Sequence, residues 1–248
     1  MSSSLATGSI RAVLLDIEGT TTPIAFVHEV LFSYARSQVR RFLTKHFGSA
    51  ELLADLQQLR EEHATDVRQN LQPPALVEEP RDAEIDSLAA YISWLIDRDR
   101  KSTGLKSLQG KIWQQGYSDG TLKAELFADV RPALERWRRA ALKISIFSSG
   151  SSLAQKLLFA HTAAGDLSDL IDNYFDTTLG SKTDVASYHR IASALNLPAQ
   201  DILFISDVVP ELDAAGAAGM QTLLCVRPGN HSQPSADRYR KIQTFDQI

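Results

Sequence analysis

Short apolar segments, several of which end in an acidic or hydroxyl residue, most strongly constrain the fold of this chain. The first is residues 11–17, where Asp16 closes the apolar run and a glycine and three threonines follow; this pattern predicts a buried strand that ends in a turn. Similar segments recur, separated by helical spacing, at residues 142–147, 173–176, 202–205 and 222–226. Strands that alternate with helices favour parallel pairing, because each crossover returns the chain to the same end of the sheet. We therefore predict an α/β fold with a Rossmann-like open parallel sheet.

A long segment between the first two of these strands has a different pattern. Its apolar residues recur at helical spacing, for example at Leu52, Leu53, Leu56 and Leu59, which is typical of helices that bury one face. We predict that an all-helical cap, residues 24–126, is inserted after the first strand. The remaining residues, 1–23 and 127–248, are then predicted to form an α/β catalytic core.

Charge and cysteine content narrow the kind of ligand. The 248 residues include 30 acidic and 26 basic side chains, for a net charge of −4, which gives no electrostatic reason to expect nucleic acid or an anionic membrane as a partner. No apolar run approaches the length that a membrane span needs. The single cysteine, Cys225, rules out an internal disulfide and a cysteine-built zinc site. We expect a monomeric, cytoplasmic protein whose partner is a small molecule.

Four polar clusters are spaced so that they could meet at one edge of the predicted sheet. Open parallel sheets bind ligands beyond the carboxyl ends of their strands, and the predicted strand and helix units easily bridge the distances between the clusters. The clusters are Asp16-Ile17-Glu18-Gly19-Thr20, Ser148-Ser149-Gly150, Lys182 and Ser206-Asp207. Carboxylates and a lysine that converge with hydroxyls on a crevice suit an anionic substrate held beside a hard cation.

The acidic residues suit metal binding and phosphoryl transfer. Asp16 and Asp207 are able to supply oxygen ligands to Mg²⁺, which commonly takes one or two carboxylates and completes its octahedron with waters and phosphate oxygens. Asp16 is then a candidate nucleophile that forms an acyl phosphate, which water later cleaves. Glu18 points to the same side of an extended chain as Asp16, so it is a candidate to protonate the leaving oxygen and then to deprotonate the attacking water.

The second and third clusters suit phosphate binding. Ser148, Ser149 and Gly150 directly precede a helix predicted over residues 151–160. Their hydroxyls and free backbone N–H groups would face a phosphate at a helix N-terminus. Lys182 would add a positive point charge against the phosphoryl oxygens.

Structural roles also suit several of these residues. The serines before residue 151 and Asp207 each precede a predicted helix, where such side chains act as caps. Glu211 and Asp213 fall in a first helical turn, where carboxylates are favoured by the helix dipole, so we give them at most a supporting role at the site.

The motifs carry a resemblance to a known family. Their order resembles that of the four motifs of haloacid dehalogenase-like phosphohydrolases, whose first motif is usually Asp-x-Asp-Gly-Thr, whereas glutamate is the second acid here. With this glutamate, the sequence is similar to the enolase-phosphatases, the acireductone synthases of methionine salvage. The segments that carry this similarity are Asp-Ile-Glu-Gly-Thr-Thr-Thr-Pro, Phe-Ser-Ser-Gly-Ser, Gln155-Lys156-Leu157-Leu158-Phe159, Tyr174-Phe175-Asp176-Thr177, Arg227-Pro228-Gly229-Asn230 and, in the predicted cap, Gly110-Lys111-Ile112-Trp113 and Gly116-Tyr117.

The resemblance implies a reaction and a set of site residues. The reaction is enolisation of 2,3-diketo-5-methylthiopentyl-1-phosphate, followed by Mg²⁺-dependent removal of its phosphate to give the acireductone. The implied metal ligands are Asp16, Asp207 and the main-chain carbonyl of Glu18. The implied substrate-binding residues are the Ser148-Ser149 pair and Lys182.

Three other functions remain open from the sequence. A haloacid dehalogenase-like phosphatase for another small phosphomonoester would use the same motifs. A dehalogenase is disfavoured, because carboxylates gathered around the nucleophile call for a cation that halide displacement would not use. A phospho-accepting receiver domain also places acids, a hydroxyl residue and lysine at strand ends, but receiver domains are shorter and lack such a helical insertion.

Overall fold

Residues 10–100 and 102–248 are described by a computed structural model of the chain. The chain divides into two compact units: one is His28–Leu122, and the other joins the segment up to Val27 to Lys123–Ile248. The predicted insertion, 24–126, contains the first unit and a few residues on either side, and its role as a cap stays a prediction. Within the described ranges, none of the helices combines the length and the hydrophobicity that crossing a bilayer requires.

The unit His28–Leu122 is helical. Its α-helices in the described part are α1 (Ser33–His46), α2 (Ala50–Arg68), α3 (Arg81–Ile96) and α4 (Thr103–Ser118). Helix α1 packs on α3, and α2 packs on α4. Leu52, Leu56 and Leu59 are buried whereas Leu53 is half exposed, because positions i, i+4 and i+7 share one helix face and position i+1 does not.

The other unit is built on one sheet. Among the described residues its strands are β1 (Ala12–Leu15), β2 (Lys143–Phe147), β3 (Asn173–Phe175), β4 (Ile202–Ser206), β5 (Gln221–Cys225) and β6 (Lys241–Ile242). They pair in the order β3-β2-β1-β4-β5-β6, and every pair is parallel. The predicted open parallel sheet is therefore confirmed. The sequence does not predict β6, because two residues are too few to show a strand period.

Helices bury the strands at the centre of this sheet. The α-helices in the described part of this unit are α5 (Val130–Arg139), α6 (Ser152–Ala160), α7 (Val185–Leu195) and α8 (Val209–Ala217). Leu14 of β1 and Phe204 of β4 lie in one fully buried cluster with Tyr188 of α7 and Leu212 of α8. All residues of β1 are buried, as expected for a central parallel strand. This packing fixes where β1 and β4 end, and hence where the polar loops begin.

Candidate active site

The strand register brings three of the predicted clusters to the same edge of the sheet. Leu15 pairs with Ile146 of β2 on one side and with Ile205 of β4 on the other. Asp16 therefore leaves β1 at the level of the last residues of β2 and β4. The loops that carry Ser148 and Asp207 begin one residue further along.

Asp16 and Lys182 form the centre of the site. Asp16 is 4% exposed, and Lys182 Nζ lies 2.5 Å from its Oδ1 atom. The backbone N–H of Ile17 also donates to Oδ1, at 2.7 Å. The lysine is held at its main chain as well, because the Tyr188 hydroxyl donates to the Lys182 carbonyl at 2.6 Å. The predicted convergence of these two residues, 166 positions apart, is therefore present in the structure.

Glu211 is a site residue that the sequence pattern assigned only a supporting role. Its Oε2 atom lies 2.7 Å from Lys182 Nζ and accepts a hydrogen bond of 2.9 Å from the Ser206 hydroxyl. The Ser206 oxygen is also 3.3 Å from Asp16 Oδ2. The sequence does contain a signal for Glu211. It lies four residues after Asp207, and four residues are about one helical turn. Asp213 is outside this cluster, because its carboxylate accepts from exposed Arg238 at 3.1 Å.

Asp207 lies against the loop that follows β1. Gly19 has φ +69°, and a Cβ atom there would be 2.7 Å from the Asp207 Cγ atom. The position therefore needs glycine both for its backbone conformation and for the space that the carboxylate fills. Glu18, the residue before, is half-buried, and its main chain pairs with Thr22 in a parallel bridge.

The charges in the cluster do not balance. Burial, together with the negative charges of Asp16 and Glu211, raises the pKa of Asp207 to about 8. Burial also raises the pKa of Glu211, although Lys182 opposes this shift. Burial lowers the pKa of Lys182, but Asp16 and Glu211 raise it more, so it stays above its ordinary value. Three carboxylates thus face one ammonium, and a bound cation would relieve the excess of negative charge.

The residue that caps α6 is not one of the proposed phosphate-binding residues. Helix α6 is capped by Ser151, whose Oγ accepts from Ala154 N at 3.3 Å. Ser148 is buried, and its Oγ instead accepts from Gly150 N at 3.3 Å, which forms a tight turn after β2. Ser149 follows it and is half-buried. Neither serine therefore caps the helix.

Asp207 is also not a helix cap. The N-cap of α8 is Val208, which provides no side-chain hydrogen bond to the helix, and the Val208 N–H donates to Ser206 Oγ at 3.1 Å. The Asp207 carboxylate is thus not used in capping α8.

Comparison with known proteins identifies the family. A family profile of haloacid dehalogenase-like hydrolases matches residues 10–219. An enolase-phosphatase E1 from Synechococcus elongatus is 52% identical over 242 residues, which are 97% of this chain and 98% of that protein. An enolase-phosphatase E1 from Sorangium cellulosum is 44% identical, over 96% of this chain and 97% of that protein. The chain belongs to the enolase-phosphatase E1 family.

A solved structure extends the similarity of this family member to three dimensions. The UTR4 protein of Saccharomyces cerevisiae is 33% identical, with a TM-score of 0.77, and the match covers 96% of this chain and 100% of that one. Because the matches to these relatives cover nearly the whole chain, the helical unit His28–Leu122 is common to them and is not an addition in this protein. The same full-length match excludes a receiver domain, which has no such unit.

Proposed function

We propose that this protein is the enolase-phosphatase of methionine salvage, which converts 2,3-diketo-5-methylthiopentyl-1-phosphate to acireductone and inorganic phosphate. The observation that carries the proposal is the buried cluster in which Lys182 Nζ lies 2.5 Å from Asp16, with Asp207 against Gly19. The enolase-phosphatase name of relatives up to 52% identical supports the same reaction. A haloacid dehalogenase-like phosphatase for a different phosphomonoester is the alternative.

A divalent metal is generally required by phosphatases of this family, and the residues present fit Mg²⁺. In the part of the chain that the structure describes, no three His, Cys, Asp or Glu side chains form a preformed metal site. Mg²⁺ does not need one, because it commonly takes one or two carboxylates and keeps several waters. We propose that Asp16, Asp207 and the main-chain carbonyl of Glu18 hold it. When bound, it would offset the excess negative charge of the cluster and of the substrate phosphate.

The chain's own residues account for phosphate removal. The Asp16 carboxylate attacks phosphorus, the bond from phosphorus to the substrate oxygen breaks, and an acyl phosphate forms. Glu18 donates a proton to the departing oxygen and then accepts one from the water that hydrolyses the acyl phosphate. Lys182 balances charge on the phosphoryl oxygens. Ser148, Ser149 and the N–H of Gly150 would bind the remaining oxygens of the phosphate.

The enolisation needs a base near the carbon that loses its proton. We assign this step to a carboxylate of the same site, with Glu18 as the candidate, since one active site would then serve both steps. The helical unit as a cap that excludes water, the monomeric state and the cytoplasmic location are predictions that accompany this assignment.

The test follows both products with the purified protein and Mg²⁺. With the diketo phosphate or its desthio analogue, we expect the acireductone absorbance to rise together with inorganic phosphate. Phosphate release without an enol signal would reject the assignment in favour of another phosphatase. Activity that persists in EDTA would contradict the metal requirement.

Asp16→Asn is the matched variant for this test. It should abolish phosphate release, because the nucleophile is lost while the shape of the side chain is kept. Circular dichroism should show an intact fold. Retained turnover would remove Asp16 from the nucleophile role.

A further inference from the structure

Two side-chain amides join loops of the candidate site to the ends of other strands. Asn230 Nδ2 donates to the Gly19 carbonyl at 2.9 Å and to the Cys225 carbonyl, the last in β5, at 3.3 Å. Gln155 Nε2 donates to the Gly150 carbonyl at 2.9 Å and to the Phe175 carbonyl, the last in β3, at 2.8 Å. Each amide therefore links one site loop to the carboxyl end of one strand.

These links act where the sheet no longer fixes the chain. Gly19 and Gly150 both lie beyond the last paired residues of β1 and β2. Strand β5 is separated from β1 by β4, so no ladder hydrogen bond joins the loop after β1 to the end of β5. A side chain with two donors on one nitrogen is able to span such a pair of carbonyls.

In both amides the N–H groups are hydrogen-bonded and the oxygen is not, which indicates that the donors are the functional part of these side chains. Only the NH₂ end of an amide donates to two carbonyls, so the orientation of each amide is determined. The opposite atoms, Gln155 Oε1 and Asn230 Oδ1, are buried and lack a hydrogen-bond partner among the described residues. An unsatisfied buried acceptor is unfavourable, and an apolar side chain would fill the same space without this cost. Packing alone therefore does not explain why amides are present.

The two loops that the amides hold have different proposed roles, metal binding for the loop after β1 and phosphate binding for the loop after β2. A Cβ atom at Gly19 would lie 3.0 Å from Asn230 Oδ1 and 2.7 Å from Asp207 Cγ, so Asn230 and Asp207 face the same side of this glycine. The peptide before Gly19 carries the carbonyl of Glu18, a proposed metal ligand. Gly150, held by Gln155, ends the turn of the proposed phosphate-binding serines.

We propose that Asn230 and Gln155 are positioning residues with separate tasks. Asn230 orients the loop after β1 for metal binding, and Gln155 orients the loop after β2 for phosphate binding. The inference rests on the proposed function, because it takes from that function which loop binds which ligand.

The test uses the full chain and two ligands, Mg²⁺ alone and inorganic phosphate at saturating Mg²⁺, both titrated by calorimetry. Asn230→Leu should weaken Mg²⁺ binding about tenfold, the lower end for residues that orient metal ligands, and leave phosphate affinity at saturating Mg²⁺ little changed. Gln155→Met should weaken phosphate binding to a similar extent and leave Mg²⁺ affinity unchanged. Gln221→Met is the matched control, because its amide donates to the Gln200 carbonyl at 3.1 Å at the opposite, amino end of β5. It should change neither affinity.

The outcomes separate the two proposals. If the unmodified protein binds neither Mg²⁺ nor phosphate, the proposed function fails. If it binds both, but the two variants lose the same affinities or none, the positioning roles are wrong. Circular dichroism checks folding; where a variant does not fold, Asn230→Ala or Gln155→Ala, which remove the donors without adding bulk, decides the same question.

Discussion

At the scale of single residues, one ammonium group is shared by two buried carboxylates. Lys182 Nζ lies within 2.7 Å of both Asp16 and Glu211, and all three side chains are largely shielded from water. Removing one partner from a buried ion pair is strongly destabilising, because the remaining charge keeps its desolvation cost. The same charge placement that suits phosphate binding therefore also supports the fold of the sheet edge.

Replacing Lys182 with methionine tests both consequences. The free energy of unfolding should fall by about 3–5 kcal/mol, since Asp16 and Glu211 lose their counter-charge, and inorganic phosphate should no longer bind. Urea unfolding at pH 7 and calorimetric titration measure the two effects. Lys111→Met is the control, because Lys111 donates to Asp55 at 2.7 Å in the helical unit; it should cost stability without affecting phosphate binding. Unchanged phosphate affinity in Lys182→Met would contradict the binding role.

Without metal, replacing Asp207 should stabilise the protein, whereas replacing Lys182 should destabilise it. Its pKa is raised to about 8, chiefly by burial, so the folded protein disfavours the ionised form. In EDTA, stability should fall as the pH rises from the unfolded pKa toward 8, because the unfolded state then binds fewer protons. Asp207→Asn should remove this slope and stabilise the metal-free protein by about 1 kcal/mol or more at pH 7.

The metal response of the same variant completes this prediction. Mg²⁺ should raise the melting temperature of the unmodified protein and leave that of Asp207→Asn unchanged. Thermal unfolding with Mg²⁺ or with EDTA, from pH 5 to pH 9, measures both effects. An equal Mg²⁺ shift in the two proteins would show that Asp207 is not a ligand.

At the scale of elements, the sequence predicts those segments whose burial leaves an apolar pattern. The apolar runs of β1 and β4 predicted strands, and the observed register brings Asp16 and Asp207 to one edge of the sheet. Glu211 was predicted to fall in a first helical turn, and it does, because α8 begins at Val209 and Pro210 suits that turn. Glu211 was therefore assigned to helix-end electrostatics. Its contact with Lys182 depends on tertiary packing, which spacing within one segment does not show.

The start of α6 offers a test at this scale. Ser151→Ala should lower the free energy of unfolding by about 1 kcal/mol, because the cap to Ala154 N is lost, while phosphate affinity changes little. Ser148→Ala should do the reverse, with a marked loss of phosphate affinity and a smaller change in stability. Urea unfolding and phosphate titration of both variants provide the comparison. A phosphate defect confined to Ser151→Ala would mean that the phosphate-binding role was assigned to the wrong serine.

At the scale of the whole molecule, the chain has two compact units. The switch from strand spacing to helical spacing predicted a helical insertion at 24–126, close to the observed unit His28–Leu122. The sequence pattern shows which face of each helix is buried, as with Leu56, because apolar spacing reports burial within one segment.

Hydrogen exchange tests the predicted role of the helical unit as a cap. With Mg²⁺ and orthovanadate, a phosphate analogue, amides in His28–Leu122 should exchange more slowly, because a lid that closes over bound ligand loses its open conformations. Lys182→Met with the same additions is the control, since it should not bind the analogue and should show no added protection. Protection confined to Lys123–Ile248 in the unmodified protein would mean that the helical unit does not close. Site loops alone would then have to exclude water during phosphoryl transfer.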